Sequence, residues 1–295
     1  MIVSASYRTD IPAFYEAWFR RRLSEGYCMV PNPYSGRDYR VGLTPDAVDG
    51  FVFWTRNPGP FGDALADVWR MGLPFVVQMT ITGYPRILDR SVIPADRAVA
   101  LARELAARYG PRAVVWRYDP VLITDLTPPA FHEETVDRLA AALAGCVDEV
   151  VFSMATIYQK TKRNLDRQSH LHGFGWQDPD LAEKRALLAA LGRIANRYRL
   201  TPTVCSQSDL VSGTLGPARC IDAVRLGDMA GRAIKAPTAG NRPGCLCARS
   251  RDIGAYDTCP HGCVYCYAVR DRDKAKANHA RHDPFRPSLA TGRTE

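Results

Sequence analysis

Three cysteines near the C-terminal end of the chain lie close enough together in sequence to bind one metal cluster. Cys259, Cys263 and Cys266 have the spacing C-x3-C-x2-C, in a chain of 295 residues that holds nine cysteines. Iron–sulfur clusters are normally held by four cysteine thiolates, so a loop with three leaves one iron without a local protein ligand. A catalytic zinc site likewise keeps one coordination position free. The spacing therefore predicts a metal centre that can bind a small molecule directly.

Further cysteines precede this loop and could form a second metal centre. They are Cys205, Cys220, Cys245 and Cys247. Four thiolates suffice for a closed iron–sulfur cluster or a zinc ion, and the Cys-x-Cys spacing of the last two is workable for a metal. The alternative is that the first two are small buried hydrophobic residues. The remaining cysteines, Cys28 and Cys146, are isolated in sequence, and we expect them to be structural.

The secondary structure that must position these cysteines alternates strands with helices. Strands are predicted at residues 2–6, 50–55, 74–81, 113–118, 149–154 and 199–206. Helices are predicted at residues 12–26, 61–71, 94–109, 129–144 and 180–198. The strands are apolar on both faces, as in a parallel sheet covered by helices. Six β–α units in this order predict an α/β fold, namely a (β/α)6 partial TIM-like barrel, with a flat doubly wound sheet as the alternative.

The periodic pattern ends soon after Asp222, which divides the chain into three predicted parts. Residues 1–227 form the partial barrel, residues 228–282 form a cysteine-rich segment packed on the barrel rim, and residues 283–295 form a tail. The cysteine-rich segment has little hydrophobic repeat, so something such as a bound metal must organise it. A charged helix is predicted within it, at residues 269–279.

Polar side chains follow the predicted strands, at the rim where a barrel builds its active site. Three of these strand ends carry an arginine, and a guanidinium is costly to bury without a partner. The alternative is that such residues only form turns and helix caps. We expect catalytic roles for Arg8, Asp10, Arg117 and Asp119, and cofactor contacts from Asp10, Arg56, Thr80 and Ser153.

The cysteine motif resembles the signature of the radical S-adenosylmethionine superfamily. An aromatic residue, here Tyr265, precedes the last cysteine of that signature. The chain also resembles, over its whole length, a bacterial family of unknown function whose C-terminal cysteine cluster is similar to the same signature. The second resemblance includes the segments SASYRTDIP at 4–12 and WRYDP at 116–120.

The resemblance to the superfamily implies a cofactor set and a reaction. Cys259, Cys263 and Cys266 would bind a 4Fe–4S cluster, whose open iron would chelate the amino and carboxylate groups of S-adenosylmethionine, and Tyr265 would shield the cluster. An electron donor such as flavodoxin or ferredoxin would reduce the cluster. Reductive cleavage of a C–S bond of the sulfonium would then start radical chemistry on a substrate.

The position of the motif differs from the superfamily, in which it follows the first strand. A circular permutation reconciles the two if the predicted strand at 199–206 acts as the first strand and residues 269–279 as the first helix. The chain would then restart at Ile2 as the second strand. The superfamily usually holds the amino group of S-adenosylmethionine with a Gly-Gly-Glu segment, which this sequence lacks, and Asp10 is the expected substitute.

Charge and composition bear on partners and on location. The net charge is +8, which suits anionic partners and is equally compatible with solubility alone. The segment CVYCY at 263–267 is similar to that of the spore photoproduct lyases, so nucleic acid is one expected substrate, beside a small molecule or a peptide. His170 and His172 are expected on a loop among basic residues. This loop could hold an anionic substrate or a nucleic-acid backbone, and a solvated mobile lid is an equal alternative. No apolar run approaches the ~18 residues of a membrane span and no signal peptide is visible, so we expect a cytoplasmic protein without a membrane partner.

Two classes of function compete on this sequence. The first is an iron–sulfur enzyme that reductively cleaves S-adenosylmethionine. The second is a non-catalytic zinc-binding protein that uses the cysteine-rich segment to bind nucleic acid or a protein partner. A zinc knuckle does not need six β–α units with arginine-rich strand ends, so the sequence favours the enzyme.

Overall fold

A parallel sheet forms the centre of the computed structural model, which describes residues 1–32 and 37–290. The strands of this sheet and of two small antiparallel pairs are, in chain order, β1 (Ile2–Ala5), β2 (Tyr27–Pro31), β3 (Asp38–Gly42), β4 (Gly50–Thr55), β5 (Phe75–Thr80), β6 (Val114–Val121), β7 (Ile123–Thr124), β8 (Glu149–Met154), β9 (Trp176–Gln177), β10 (Thr201–Val204), β11 (Gly216–Pro217) and β12 (Ser250–Asp252). The helices are α1 (Ile11–Phe14), α2 (Glu16–Glu25), α3 (Gly62–Arg70), α4 (Ala95–Tyr109), α5 (Pro129–Leu143), α6 (Gln159–His172), α7 (Leu181–Arg197), α8 (Ala223–Ala230) and α9 (Arg272–Ala280).

In the described part of the chain, the central sheet has eight strands in the order β11-β10-β8-β6-β5-β4-β1-β12, and all neighbours run parallel. Six of these strands, from β1 to β10, follow one another across the sheet in chain order. A doubly wound sheet instead reverses its direction at a switch point. The prediction of an α/β fold with a large parallel sheet flanked by helices is confirmed, and β11 and β12 are the edges of the sheet.

The strands bury both of their faces, as their apolar segments predict. One face packs against α2, α3, α4, α5 and α7 through residues such as Phe53 and Trp116. The opposite face packs against Leu226 of α8 and the segment that follows it, through residues such as Val76 and Val115. Side chains two positions apart on a strand share a face. Near the C-terminal ends of the strands this second face therefore carries Trp54, Gln78, Arg117 and Ser153.

Most predicted elements are present, but the segment that follows β8 has a different structure from the one expected. β4 and β8 have the predicted bounds. The segment that includes His170 and His172 is helix α6 and not the expected loop. Leu165 is its one buried large apolar residue, so the hydrophobic repeat was too sparse to indicate a helix.

Strand β12 corrects the predicted permutation. Its three residues pair in parallel with residues 2–4 of β1. The strand that precedes the Cys259 motif is therefore Ser250–Asp252, whereas the predicted strand at 199–206 lies at β10, beside β8. From β12 the chain passes through residues 253–271, which we call the cysteine loop, into α9. A strand of three polar residues is too short to show an alternating pattern, which is why the sequence did not indicate it.

The C-terminal residues 283–290, which we expected to begin a tail, pack on α2. Trp18 Nε1 donates a hydrogen bond to the Arg286 carbonyl oxygen at 3.0 Å, and Leu289 is buried. Residues 291–295 of the expected tail lie outside the described residues. Within the described ranges, no helix is long and apolar enough to cross a membrane.

Candidate metal and cofactor site

A pocket of about 340 Å³ opens at the C-terminal ends of the parallel strands. Its lining brings together all of the site residues that the sequence predicts: Arg8, Asp10, Arg56, Thr80, Arg117, Asp119, Ser153, Cys205, Cys220, Cys245, Cys247, Cys259, Cys263, Tyr265 and Cys266. Parallel strands end at the same edge of a sheet, so residues that follow different strands become neighbours there. Because these residues line one pocket, we treat them as one candidate site, and their contacts indicate what each can do.

The cysteine loop forms part of the pocket wall. It closes on itself where the Asp257 N–H donates to the Ala268 carbonyl oxygen at 3.1 Å. Gly262, between two of the cysteines, has a φ of 72°, a left-handed conformation that favours glycine. The Ala268 N–H also donates to Cys266 Sγ at 3.4 Å. A hydrogen bond donated to sulfur favours the anionic thiolate, which is the form that binds metal.

Burial decides the protonation of the three cysteines in this loop. It raises the pKa of Cys259, Cys263 and Cys266 above the ordinary thiol value. Each thiol therefore keeps its proton at neutral pH unless a bound metal displaces it. Within residues 1–32 and 37–290, no three His, Cys, Asp or Glu side chains already have the geometry of a metal site. The donor set fits an iron–sulfur cluster, because all three side chains are free thiols on one loop.

The Arg56 guanidinium is buried beside the cysteine loop and forms a bidentate pair with Asp89. Its Nη2 lies 2.7 Å from Asp89 Oδ2 and its Nη1 lies 3.1 Å from Oδ1. Nη1 also donates to Cys263 Sγ at 3.4 Å, and the Tyr265 hydroxyl donates to Asp89 Oδ1 at 2.7 Å. Burial lowers the pKa of Arg56, but Asp89, Tyr265 and Cys263 together more than offset it and the pKa is raised, so the cation persists. Arg56 thus contacts the cysteine loop itself and positions it.

Asp10 joins three parts of the site. Its Oδ1 accepts the Ala13 N–H at 2.9 Å and caps α1. Its Oδ2 accepts a hydrogen bond from the backbone N–H of Arg56 at 2.7 Å. The same oxygen lies 2.8 Å from His261 Nε2 in the cysteine loop. These contacts occupy the carboxylate. They favour a positioning role for Asp10, and its predicted contact with the amino group of a cofactor stays a prediction.

Arg117, which is buried, and Asp119, which is partly exposed, form a second ion pair on β6. Arg117 Nε donates to Asp119 Oδ2 at 3.0 Å, and the Ser153 hydroxyl donates to the other carboxylate oxygen. The guanidinium also lies over the Trp54 ring, 5.0 Å from its centroid. Burial raises the pKa of Asp119, but Arg117 and Ser153 together lower it below its ordinary value. At neutral pH Asp119 is therefore a charged acceptor on the pocket wall.

Arg8 lies at the pocket lining with long contacts to its neighbours. Its guanidinium is 5.6 Å from the ring centroid of Tyr7 and 5.4 Å from that of Tyr256. Its Nε is 3.6 Å from Asp252 Oδ1, and its Nη1 is 3.5 Å from the Gly254 carbonyl oxygen. The other two rim arginines have a carboxylate oxygen at 3.0 Å or less. Arg8 is therefore the rim arginine best able to take an anionic ligand.

The other cysteines of the pocket lie between the end of β10 and the start of β12. Hydrogen bonds, first of all with Cys247, lower the pKa of Cys245 to about 5, so this side chain is a thiolate at neutral pH. Cys28 is buried in the core on the helix side of the sheet, where burial raises its pKa to about 12. Cys146 follows α5 and is half-buried.

Several pocket residues were absent from the sequence prediction. Among them are Tyr7, Trp54, Arg242 and Tyr267. Tyr7 and Trp54 lie at strand ends that the sequence did indicate, so their position beside Arg8 and Arg56 could have identified them. Arg242 lies in the irregular segment before β12, where no periodic pattern predicts which side chains face the pocket.

The fold and the pocket define an α/β protein with a candidate metal site at the carboxyl ends of a parallel sheet. A family model described as a domain of unknown function, DUF1848, matches residues 2–268, and the chain belongs to this family. The match covers the central sheet and runs through the last cysteine of the loop. A comparison with curated proteins gives no match. The family carries no assigned activity, so function has to be argued from the site.

Proposed function

We propose that this chain is an iron–sulfur enzyme that reductively cleaves S-adenosylmethionine to begin radical chemistry on a substrate. The observation that carries the proposal is the placement of the cysteine loop. Three free thiols with C-x3-C-x2-C spacing line a pocket at the C-terminal ends of parallel strands. This end of a barrel-like α/β fold is where active sites are built. Three thiolates leave one iron of a cubane open to a ligand.

Neighbouring groups support the role of these thiols as ligands. Cys259, Cys263 and Cys266 would hold the cluster. The Arg56 guanidinium at Cys263 and the Ala268 N–H at Cys266 would offset the negative charge of the thiolates. Tyr265 packs edge-on against another tyrosine ring at 5.8 Å between centroids, and it would limit the access of water to the cluster.

The remaining pocket residues would bind the cofactor and the substrate. When bound, the cluster would supply one electron to the sulfonium of S-adenosylmethionine, with an external donor of the flavodoxin or ferredoxin class as the source. Arg8 would hold an anionic group such as a carboxylate. Asp119 would accept hydrogen bonds from hydroxyl or amino groups. A volume of about 340 Å³ falls within the range of pockets that bury small organic ligands.

We also propose that the central sheet is a circularly permuted partial barrel of the superfamily type. The order of elements supports this proposal. β12 is followed by the cysteine loop and α9, and the next strand across the sheet is β1. A first strand, a motif loop, a first helix and a second strand would follow in this order in the superfamily. In this permutation no extra segment separates the first strand from the motif loop, because β12 directly precedes the loop.

The test is the metal content of the full-length chain purified without oxygen. We expect about four irons and four sulfides per chain for one cubane, with broad absorbance near 400 nm. The substitutions Cys259→Ala, Cys263→Ala and Cys266→Ala should each remove this iron and sulfide. Cys146→Ser, which changes a half-buried thiol outside the pocket, is the matched control and should leave both unchanged.

Activity is tested with the same preparations. After reduction with dithionite in the presence of S-adenosylmethionine, the wild-type chain should produce methionine or another cleavage product, and the three cysteine variants should not. Unchanged iron and sulfide in those variants would show that the ligands are misassigned. Zinc without sulfide at Cys259, Cys263 and Cys266 would contradict the proposed enzyme and support the zinc-binding alternative.

A further inference from the structure

The second set of cysteines forms a row of neighbouring thiols. Cys205 Sγ and Cys220 Sγ are 3.4 Å apart. Side-chain interactions also link Cys220 to Cys247, and Cys247 to Cys245. All four are free, and we call them the thiol row. They come from the end of β10, the approach to α8 and the segment before β12, so the fold and not a short motif brings them together.

The backbone around the thiol row is held by a specific set of contacts. The Ile221 N–H donates to Cys247 Sγ at 3.4 Å, and the Ala248 N–H donates to the Ile221 carbonyl oxygen at 2.8 Å. Gly240 packs so closely on this segment that a Cβ there would lie 2.3 Å from the Cys245 carbonyl oxygen. The loop that carries Cys245 and Cys247 is thus fixed on both sides, although it contains no regular helix or strand.

Two guanidinium groups are directed at sulfur atoms of this row. Arg117 Nη1 lies 3.0 Å from Cys220 Sγ, and Arg242 Nη2 lies 3.4 Å from Cys205 Sγ. A neutral thiol is a weak acceptor, so a cation gains little from pointing at one. A tetrathiolate that holds one divalent ion carries two net negative charges. The two arginines beside the sulfurs would offset most of that charge, although Arg117 also pairs with Asp119.

The separation of Cys205 and Cys220 favours a single metal ion over a cluster. Four thiolates around one tetrahedral zinc, at about 2.3 Å each, are roughly 3.8 Å from one another. Cys205 Sγ and Cys220 Sγ, which are 3.4 Å apart, are close to this separation. A cubane cluster spreads its four thiolates more widely, because its own iron and sulfide atoms lie between them. We propose that Cys205, Cys220, Cys245 and Cys247 bind one structural zinc ion in a closed tetrahedral site.

Zinc binding would gather the row into a tetrahedron. In the described residues, no three such side chains already surround one point, so rotation of the cysteine side chains is the adjustment that binding requires. The consequence of the site is mechanical. The zinc ion would connect the end of β10 to the segments on either side of α8. These segments cover the second face of the sheet, the one that packs against α8, and form part of the pocket wall. The proposal is independent of the chemistry proposed for the cysteine loop.

The test measures zinc and iron separately in the full-length chain. We expect one zinc per wild-type chain, resistant to dialysis against a weak chelator. Cys247→Ser should lose this zinc and keep the iron and sulfide, whereas Cys259→Ala should keep the zinc and lose the iron. Cys146→Ser is the control for thiol removal outside the pocket. The experiment can therefore show that the zinc assignment is wrong while the iron assignment holds, and the reverse.

A second measurement covers the case in which Cys247→Ser does not fold. The wild-type chain loaded with Co²⁺ should show thiolate charge-transfer bands and the intense ligand-field bands of a tetrahedral tetrathiolate site. The bound Co²⁺ should also protect the four thiols of the row from alkylation, which mass spectrometry of peptides would detect. The proposal is overturned if the wild-type protein binds neither zinc nor Co²⁺ at the row, or if anaerobic protein has a Cys205–Cys220 disulfide. Loss of iron and sulfide from a folded Cys247→Ser variant would also overturn it.

Discussion

His261 Nε2 lies 2.8 Å from Asp10 Oδ2, so a residue of the cysteine loop is paired with a residue at the other end of the chain. Both side chains are buried, and the same carboxylate caps α1 and accepts the Arg56 N–H. The contact fixes the loop against the ends of β1 and β4. Any metal at the cysteine loop would therefore depend on residues more than two hundred positions away.

Loss of the Asp10 carboxylate should destabilise the chain more than loss of an ordinary helix cap. Asp180 is the matched control, because it caps α7 at the surface with a capping box. Asp180→Ala should lower the free energy of unfolding by about 1 kcal/mol. Asp10→Ala should cost an additional 1–3 kcal/mol or so, because it also leaves the Arg56 N–H and His261 without their acceptor.

Urea unfolding of both variants and of the wild-type chain, followed by circular dichroism, gives the two differences. Equal losses for Asp10→Ala and Asp180→Ala would mean that the buried contacts of Asp10 add nothing to the cap.

The Arg56–Asp89 pair should be the most sensitive ion pair of the site. Asp89→Asn leaves the Arg56 charge buried without its carboxylate, and breaking a buried pair in this way typically costs 3–5 kcal/mol or about that. Glu104→Gln is the control, because its ion pair with Arg97 is exposed and should contribute little. Thermal unfolding of both variants tests this, and a small shift for Asp89→Asn would show that Arg56 is solvated or paired elsewhere.

The sequence predicted the frame of the fold better than the contacts inside the site. Apolar strands such as Gly50–Thr55 carry their pattern locally, and α5 begins at Pro129, the first residue of the predicted helix. β12 is three residues long, and its identity as a strand depends on β1, which lies at the other end of the chain. Asp89 has no local signal at all, because only the fold brings it to Arg56. Residue types at strand ends thus predicted where the site is, and not which of its side chains are paired.

Gly254 allows the closest approach between the cysteine loop and the end of β1. A Cβ at this position would lie 2.0 Å from Ser6 Oγ, which itself donates to Asp252 Oδ1 at 2.7 Å. Gly254→Ala should therefore lower the free energy of unfolding by about 1–3 kcal/mol through overpacking. Gly62→Ala is the control, because a Cβ there meets nothing within 4 Å and φ is −59°.

Gly62→Ala should leave the free energy of unfolding unchanged or raise it by ~0.4 kcal/mol or more, because alanine has less conformational freedom than glycine in the unfolded chain. Chemical denaturation of the two variants separates the effects. A Gly254→Ala variant as stable as Gly62→Ala would mean that the loop can move away from Ser6 without loss.

His132 should make the stability of the chain depend on pH below neutrality. The ring is fully buried, Tyr118 Oη lies 2.8 Å from its Nδ1, and its Nε2 lies 3.1 Å from the Leu122 carbonyl oxygen. This arrangement suits the neutral ring, with Nδ1 as acceptor and Nε2 as donor. Burial lowers the pKa of His132 to about 4, whereas the unfolded chain keeps the ordinary value of about 6.5.

The unfolded state therefore binds a proton that the folded state rejects between these two pH values. The stabilisation is fully present above pH ~6.5 and is lost as the pH falls toward 4, by roughly 3 kcal/mol in all. Urea unfolding at a series of pH values should show this loss in the wild-type chain. His132→Gln should be less stable at pH 7 but should lose less on acidification, because its side chain cannot take up the proton. Parallel pH profiles for the two chains would show that His132 does not titrate with the predicted shift.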